Sequence, residues 1–278
     1  MSDIIVVKCG GTSAVDSAAV CADVAAVRAA GRRVVLVHGG SAQIDAIAAR
    51  LGVVQRRITA PDGSSARYTD RATLEVVLLA LAGAVKPRLV AALTAAGAPA
   101  VGLTGLDAGL IVARRHGPHR AVIDGRTRLV RDNHTGRIVA VHAGLLRTLL
   151  DAGTVPVISP PALGLDGAPV NIDADRAAAA VAAALGARRL LLLTAAPGVL
   201  ADPADERTVR DVVTLTPNGG PPAGVGGGAT VKLLAARDAL RAGVGDVMIA
   251  DGRAHQPVRA ALDGAGTRVR LTGTTVPA

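Results

Sequence analysis

Two lysines stand beside glycine turns at opposite ends of the chain. Lys8 closes the apolar run IIVVKCGG two residues before Gly10-Gly11, and Lys232 follows the glycines of GVGGGATVKLLAA. An ammonium group in an otherwise apolar strand is costly to bury unpaired, so this placement calls for an anion within reach. A second apolar run, VVLVHGGS, ends in Gly39-Gly40, with His38 before the pair and Ser41 after it. Glycine lets backbone approach a ligand closely, and unpaired N–H groups at a helix start favour anions. A third cluster, VNIDADRA, alternates Asn171, Asp173 and Asp175 into a helix start. One of these could simply cap the helix, but three in alternation point to a site. The glycines before Lys232, with the lysine expected in the first helical turn, suit a polyphosphate. Each feature also has a plainer reading taken singly: a snorkelling edge lysine, a tight connection, a flexible loop. Neither the Walker spacing nor G-x-G-x-x-G occurs at these turns.

The surrounding elements must deliver these groups to one place. DIIVVKC, RRVVLVHGG, PAVGLTG, TVPVISPPALG, RRLLLLT and GDVMIADGR read as strands. Helices are expected at 16–30, from Ser41 as N-cap, from Thr69 or Asp70 to about residue 96, at 142–152, after NID, after GGG and at PVRAALDG. Residues 56–67 read as a polar loop. Residues 110–140 read as β-hairpins with turns at Asp124-Gly125 and Thr135-Gly136. Apolar strands alternating with helices predict an α/β fold, a mainly parallel sheet covered on both faces. The Pro- and Gly-rich stretch 160–170 is expected to divide it into two lobes, 1–165 and 166–278. In such sheets the C-terminal strand ends form the ligand crevice, where both Gly-Gly pairs fall.

Composition bounds the rest. The chain has 278 residues, half of them apolar, with no Phe or Trp and Tyr68 as the single aromatic. A core of Ala, Val and Leu favours close helix-on-sheet layers. The net charge of +9 raises the possibility of nucleic-acid binding. Missing aromatics argue against single-strand stacking, and no zinc-finger, RNP or helix-turn-helix signature is present, so no nucleic-acid partner is expected. The excess charge gathers in RRHGPHRAVIDGRTRLVRDNHTGR, residues 114–137, which suits a compact acidic partner. Cys9 and Cys21 fit neither a disulfide framework nor a zinc motif. No basic leader and no apolar run of about 20 residues is evident, so a cytoplasmic protein without a membrane partner is expected.

In this order VVKCGG, LVHGGS, ARYTD, VGLTGLD, VNIDAD, GGATVKL and ADGR resemble the amino acid kinase family, and most of all its N-acetylglutamate kinase branch. The resemblance covers nearly the whole chain. It implies a three-layer αβα sandwich that transfers the γ-phosphoryl group of ATP, with Mg2+, to a side-chain carboxylate. The first lobe would bind the amino acid and dimerise, and the second would bind nucleotide. Lys8 and Lys232 would stabilise the transferring phosphoryl oxygens while Asp175 holds both lysines. Gly39 and Gly40 would offer N–H groups, and Arg67 and Asn171 would bind the amino-acid substrate. Gly10, Gly11, Thr194, Gly227 and Gly228, with Lys232, would border the nucleotide. Magnesium would be held by phosphates and water, so no protein metal ligand is expected. His38 needs no acid–base role, because a carboxylate is already a nucleophile.

Within the branch, HGGSAQ, ITAPDGSSARYTDRATLE, PPALG, NIDAD and RDNHTG are similar to kinases that act on an amino-group carrier protein of the LysW type. There the amino acid is attached to the terminal glutamate of a small acidic protein. Arg114, Arg115 and Arg120 would then belong to the carrier-docking face. Ala195 departs from the Asp or Asn often found at that place. The helix that precedes the first strand in arginine-inhibited hexamers is also missing, so a homodimer without that feedback is expected. The competing expectations are an N-acetylglutamate kinase acting on the free acetylated amino acid and a catalytically silent sensor.

Overall fold

The computed structural model describes residues 3–59, 65–123, 126–222 and 224–273. The chain starts with β1 (Ile4–Cys9), α1 (Ser17–Ala29), β2 (Arg33–His38), α2 (Ser41–Leu51), β3 (Arg56–Thr59) and β4 (Ser65–Tyr68). A continuous helical run follows: α3 (Arg71–Leu78), a π-helical stretch (Leu79–Val85) and α4 (Lys86–Ala95). Next come β5 (Ala100–Gly105), β6 (Ile111–Arg115), β7 (His119–Ile123), β8 (Arg126–Val130), β9 (Gly136–Val141) and α5 (Gly144–Asp151). Then follow β10 (Val155–Gly164), β11 (Pro169–Val170), α6 (Ala174–Leu185), β12 (Arg189–Thr194) and β13 (Val212–Leu215). The described chain closes with α7 (Gly227–Arg241), β14 (Asp246–Asp251), α8 (Pro257–Leu262) and β15 (Thr267–Leu271).

Eleven strands form one sheet along the path β13-β15-β14-β12-β1-β2-β10-β6-β9, with β5 and β11 also joined to β10. Pairing is parallel except for β14–β15, β10–β11 and β6–β9. Side chains alternate across a strand, and this sets the two layers. Ile4 and Val6 pack with Leu146, Ala178 and Ala235 of α5, α6 and α7. Ile5 and Val7 pack with Val24, Leu93 and Val258 of α1, α4 and α8. Ala177, Ala178 and Ala182 of α6 are fully buried, which brings that helix close to the sheet. A separate antiparallel sheet, β4-β3-β7-β8, carries its own small apolar cluster of Ile58, Tyr68, Ala121 and Val130.

Several local expectations need correction. Residues 56–59 and 65–68 are paired strands rather than loop. Pro160-Pro161 does not break the chain, because β10 runs through it. β10 pairs with β5 up to Ser159 and with β6 from Leu163, so the prolines fall where one neighbour gives way to the next. Proline costs no ladder hydrogen bond at such a gap. Thr135-Gly136 opens β9 rather than turning a hairpin, while Asp124-Gly125 lies outside the described residues. Ser41 is not the N-cap of α2; Gly40 occupies that position, and the Ser41 hydroxyl donates to Gly11 O at 2.9 Å. Of the two candidate caps of α3, Thr69 and Asp70, the structure selects Asp70, which accepts from Thr73 N at 2.8 Å. The helix Arg71–Ala95 is long and apolar enough to cross a membrane by length and composition, which the uninterrupted-run criterion missed. One side packs Val76, Val77, Ala80 and Leu81 against Ile44 and Ala48 of α2, while Leu79 is 55 % exposed.

Candidate functional site

The site forms where the sheet changes direction. β1 lies between β2 and β12, and chain connections leave these neighbours toward opposite sides, which opens a crevice at the strand ends. Lys8 shares the face of Ile4 and Val6, so its side chain turns toward α6 and α7. There Lys8 Nζ stands 2.9 Å from Asp175 Oδ1, and Lys232 Nζ stands 3.0 Å from Asp175 Oδ2. Asp175 lies in the first turn of α6, and both it and Lys8 are buried. Lys232 is the sixth residue of α7 and so belongs to the second turn, not the first; that rise carries its ammonium back to α6.

Electrostatics keeps this trio charged. Burial alone would push the Lys8 ammonium down, but the Asp175 carboxylate outweighs it and holds Lys8 above its ordinary range. Burial alone would push Asp175 up, but the two lysines outweigh it and hold the carboxyl below its ordinary range. Asp173 goes the other way: loss of water around it and the neighbouring Asp175 charge hold its carboxyl high. It caps α6, accepting from Arg176 N at 3.0 Å. These donors do not fit a protein-held magnesium site, since both Asp175 oxygens face ammonium groups and Asp173 is engaged at the helix end. Among the described residues no group of three or more His, Cys, Asp or Glu is placed to hold a metal ion.

The two Gly-Gly turns meet backbone to backbone. A Cβ on Gly11 would fall 2.2 Å from Gly40 N and 2.8 Å from Gly39 C, so no side chain fits there. Gly39 N donates to Cys9 O at 3.0 Å, which commits that amide to the fold and leaves Gly40 as the residue opening α2. His38 lies beneath the turn. Its Nδ1 faces Gly39 O at 2.9 Å and must donate there, so Nε2 accepts from Ser159 Oγ at 2.7 Å. Burial pushes its pKa down to about 4, which keeps the ring neutral. Burial raises the thiol of Cys9 to about 11 and that of Cys21 to about 12, so neither is a thiolate nucleophile at neutral pH.

A cavity of about 560 Å³ opens over this floor. Its walls gather Lys8, Gly11, Gly39, Gly40, Arg67 and Asn171 from the sequence-identified set. Arg67 Nη1 holds Asp45 Oδ1 at 2.8 Å and also reaches Gln55 Oε1. Asn171 Nδ2 donates to Thr69 Oγ1 at 3.1 Å. Gly10, Thr194, Gly227, Gly228 and Lys232 do not line this cavity. Thr194 ends β12 beside β1, and Gly227 and Gly228 begin α7, so they lie at the same crevice edge on the Lys232 side.

Asp173 of the alternating cluster lines the cavity, as do Arg57, His116 and Arg176, none of which was identified as a site residue. Arg176 follows NIDAD directly, and its place one residue beyond Asp175 was the available signal. Arg57 sits opposite Arg67 in the β3–β4 pair, which no motif announced. Of the basic stretch, Arg114 and Arg120 are exposed. Arg115 is half-buried and donates to Asn133 O at 2.9 Å, so its guanidinium is engaged in the fold.

The profile of the amino acid kinase family matches residues 3–251. A LysW-aminoadipate kinase of Deinococcus radiodurans is 40 % identical over 267 residues, covering 96 % of this chain and 91 % of that protein. An acetylglutamate kinase of Methanopyrus kandleri is 40 % identical over 242 residues, covering 85 % of this chain and 90 % of that protein. Among solved structures, smu.665 from Streptococcus mutans superposes with a TM-score of 0.74 at 24 % identity, covering 97 % of this chain and 99 % of the other. With a matching profile over most of its length and such relatives, this chain belongs to the amino acid kinase family.

Proposed function

We propose that this protein transfers the γ-phosphoryl group of ATP to the side-chain carboxylate of an amino acid, aminoadipate or glutamate, borne on a small acidic amino-group carrier protein. The observation that carries the chemistry is the Lys8–Asp175–Lys232 trio beside a cavity lined by Arg57, Arg67 and Arg176. The acceptor carboxylate is already ionised at neutral pH, so no general base is required. The obstacle is bringing two anions together, and fixed positive charge with correct placement supplies the catalysis. A carboxylate oxygen attacks Pγ, the bond from Pγ to the bridging oxygen of ADP breaks, and an acyl phosphate and ADP result. Lys8 meets the reacting phosphoryl group from the sheet, and Lys232 meets it from the helix side. Arg67 and Asn171 hold the amino-acid end. Residues 166–278 would hold the nucleotide, and magnesium carried on its phosphates would supply charge neutralisation there.

Carrier dependence is favoured by the Deinococcus relative and by the exposed Arg114 and Arg120. The Methanopyrus relative favours a second reading, an acetylglutamate kinase acting on the free acetylated amino acid. Turnover of a carrier-bound acceptor compared with free N-acetyl-L-glutamate separates the two. A carrier-bound kcat/KM no higher than that of the free compound would overturn the first reading. No turnover with either would leave the silent-sensor alternative. We also propose a homodimer, supported by the exposed Leu79 on the long helix and by β5, which among the described residues pairs with β10 alone. A cytoplasmic location suits the need for ATP.

A further inference from the structure

Arg67 and Asn171 belong to separate parts of the chain, yet they meet at one buried residue. Thr69 is fully buried and lies between β4 and α3. Its Oγ1 accepts from Asn171 Nδ2 at 3.1 Å and donates to Arg67 O at 3.2 Å. Its N–H donates to Asn133 Oδ1 at 3.2 Å, and its carbonyl accepts from His134 N at 2.7 Å. Asn171 N in turn donates to His134 O at 2.8 Å, and Gly136 N donates to Asn171 O at 3.1 Å. Tyr68 adds a second tie. Strand alternation turns it away from Arg67, into the cluster with Ile58, Ala121 and Val130, where its hydroxyl donates to Asp132 Oδ1. Burial pushes that hydroxyl up to about 12, so it stays a donor at neutral pH.

We infer that Tyr68, Asp132 and Asn133 form a clasp that positions the acceptor-binding side chains Arg67 and Asn171. They are positioning residues; only Arg67 and Asn171 of this group line the cavity. The ties join Tyr68 and Thr69, at the end of β4, to the segment 132–136 and to Asn171, so loosening them shifts the acceptor wall. The Lys8–Asp175–Lys232 trio shares none of these hydrogen bonds. This assignment rests on the proposed reading that Arg67 and Asn171 hold the acceptor.

The test uses the full-length protein, ATP and whichever acceptor the wild type phosphorylates. Tyr68→Phe removes one hydroxyl and keeps the packing. Asn133→Leu removes the acceptor of the Thr69 N–H. Asn133→Asp keeps an acceptor there, and it replaces an Nδ2 that has no hydrogen-bond partner among the described residues. Tyr68→Phe and Asn133→Leu should each raise the acceptor KM about tenfold, with the ATP KM within about twofold and kcat within about threefold. Asn133→Asp should restore most of the acceptor KM. Soluble variants with unchanged acceptor KM, or with acceptor and ATP KM moving together, overturn the assignment. Should Asn133→Leu fail to fold, the comparison of Tyr68→Phe with wild type decides alone. A wild type inert toward carrier-bound and free acceptors overturns the kinase reading, and this assignment with it.

Discussion

At the scale of single residues, the chemistry depends on one carboxylate holding two ammonium groups. Lys8→Ala and Lys232→Ala should each lower kcat about 10²- to 10³-fold, the loss typical of one preorganised charge-stabilising group. Asp175→Ala should do more than slow the reaction. It leaves buried Lys8 without its carboxylate, and removing one partner of a buried pair costs about 3–5 kcal/mol. Denaturant unfolding measures that loss, and an Asp175→Ala protein as stable as wild type would contradict the assigned burial. Lys8 is held high and Asp175 low, so neither changes charge near neutrality. Neither group should therefore put a step in the kcat profile between about pH 6 and 9. His38 supplies the acid dependence of the fold instead. A ring held neutral down to about 4 favours the native state above its unfolded pKa near 6.5, and this contribution fades as pH falls between the two values. Such a gap corresponds to about 3 kcal/mol. Unfolding curves at pH 7 and pH 4.5 for wild type and His38→Asn read it directly, and equal pH sensitivity in the two proteins would contradict it.

At the scale of elements, two glycine turns give contrasting expectations. Gly11→Ala would drive a methyl into the backbone of Gly39 and Gly40, which cannot yield without moving a strand end. Gly40→Ala meets Leu81 Cδ2 at 2.4 Å, the tip of a side chain that can rotate. Gly11→Ala should cost about 3 kcal/mol or more and Gly40→Ala about 1 kcal/mol, an order that thermal melts can check. The same scale shows what the sequence made legible. β1, β2, β12 and β14 are central strands of continuous apolar residues, and they were readable for that reason. β3 and β4 were missed because RRIT and SARY carry three arginines and flank Pro61-Asp62-Gly63, which reads as loop. β13, at the sheet's edge, and β15, beside it, were missed because each buries only one face; in β15 Thr267 and Val269 point inward while Arg268 and Arg270 do not. Lys8 was legible as a charge in an apolar strand, Asp175 through the alternation of Asn171, Asp173 and Asp175, and Lys232 through the glycines before its helix, while their meeting was implied only by the family resemblance. Arg57 and His116 were not, since only folding brings them to one cavity wall, and Asn133 was not, since its partner Thr69 lies 64 residues away in the chain.

At the scale of the whole molecule, the arginines on β6, β7 and β8 bear on partner choice. Arg114→Glu with Arg120→Glu should lower kcat/KM for a carrier-bound acceptor about tenfold at low salt, and by less as salt screens the charges. Free N-acetyl-L-glutamate turnover should hardly change. Equal effects on both acceptors would show that the basic surface acts on the fold rather than on docking. Light scattering tests the dimer, and a hexamer would contradict it. β1 is sandwiched between β2, its near neighbour in the chain, and β12, which lies far downstream. The first strand is synthesised early yet waits for its second flank until most of the polypeptide has left the ribosome. Catalytic competence should therefore arise late and all at once during biogenesis. A nick after Gly164 should leave two fragments, each inert, that regain turnover only on reassociation.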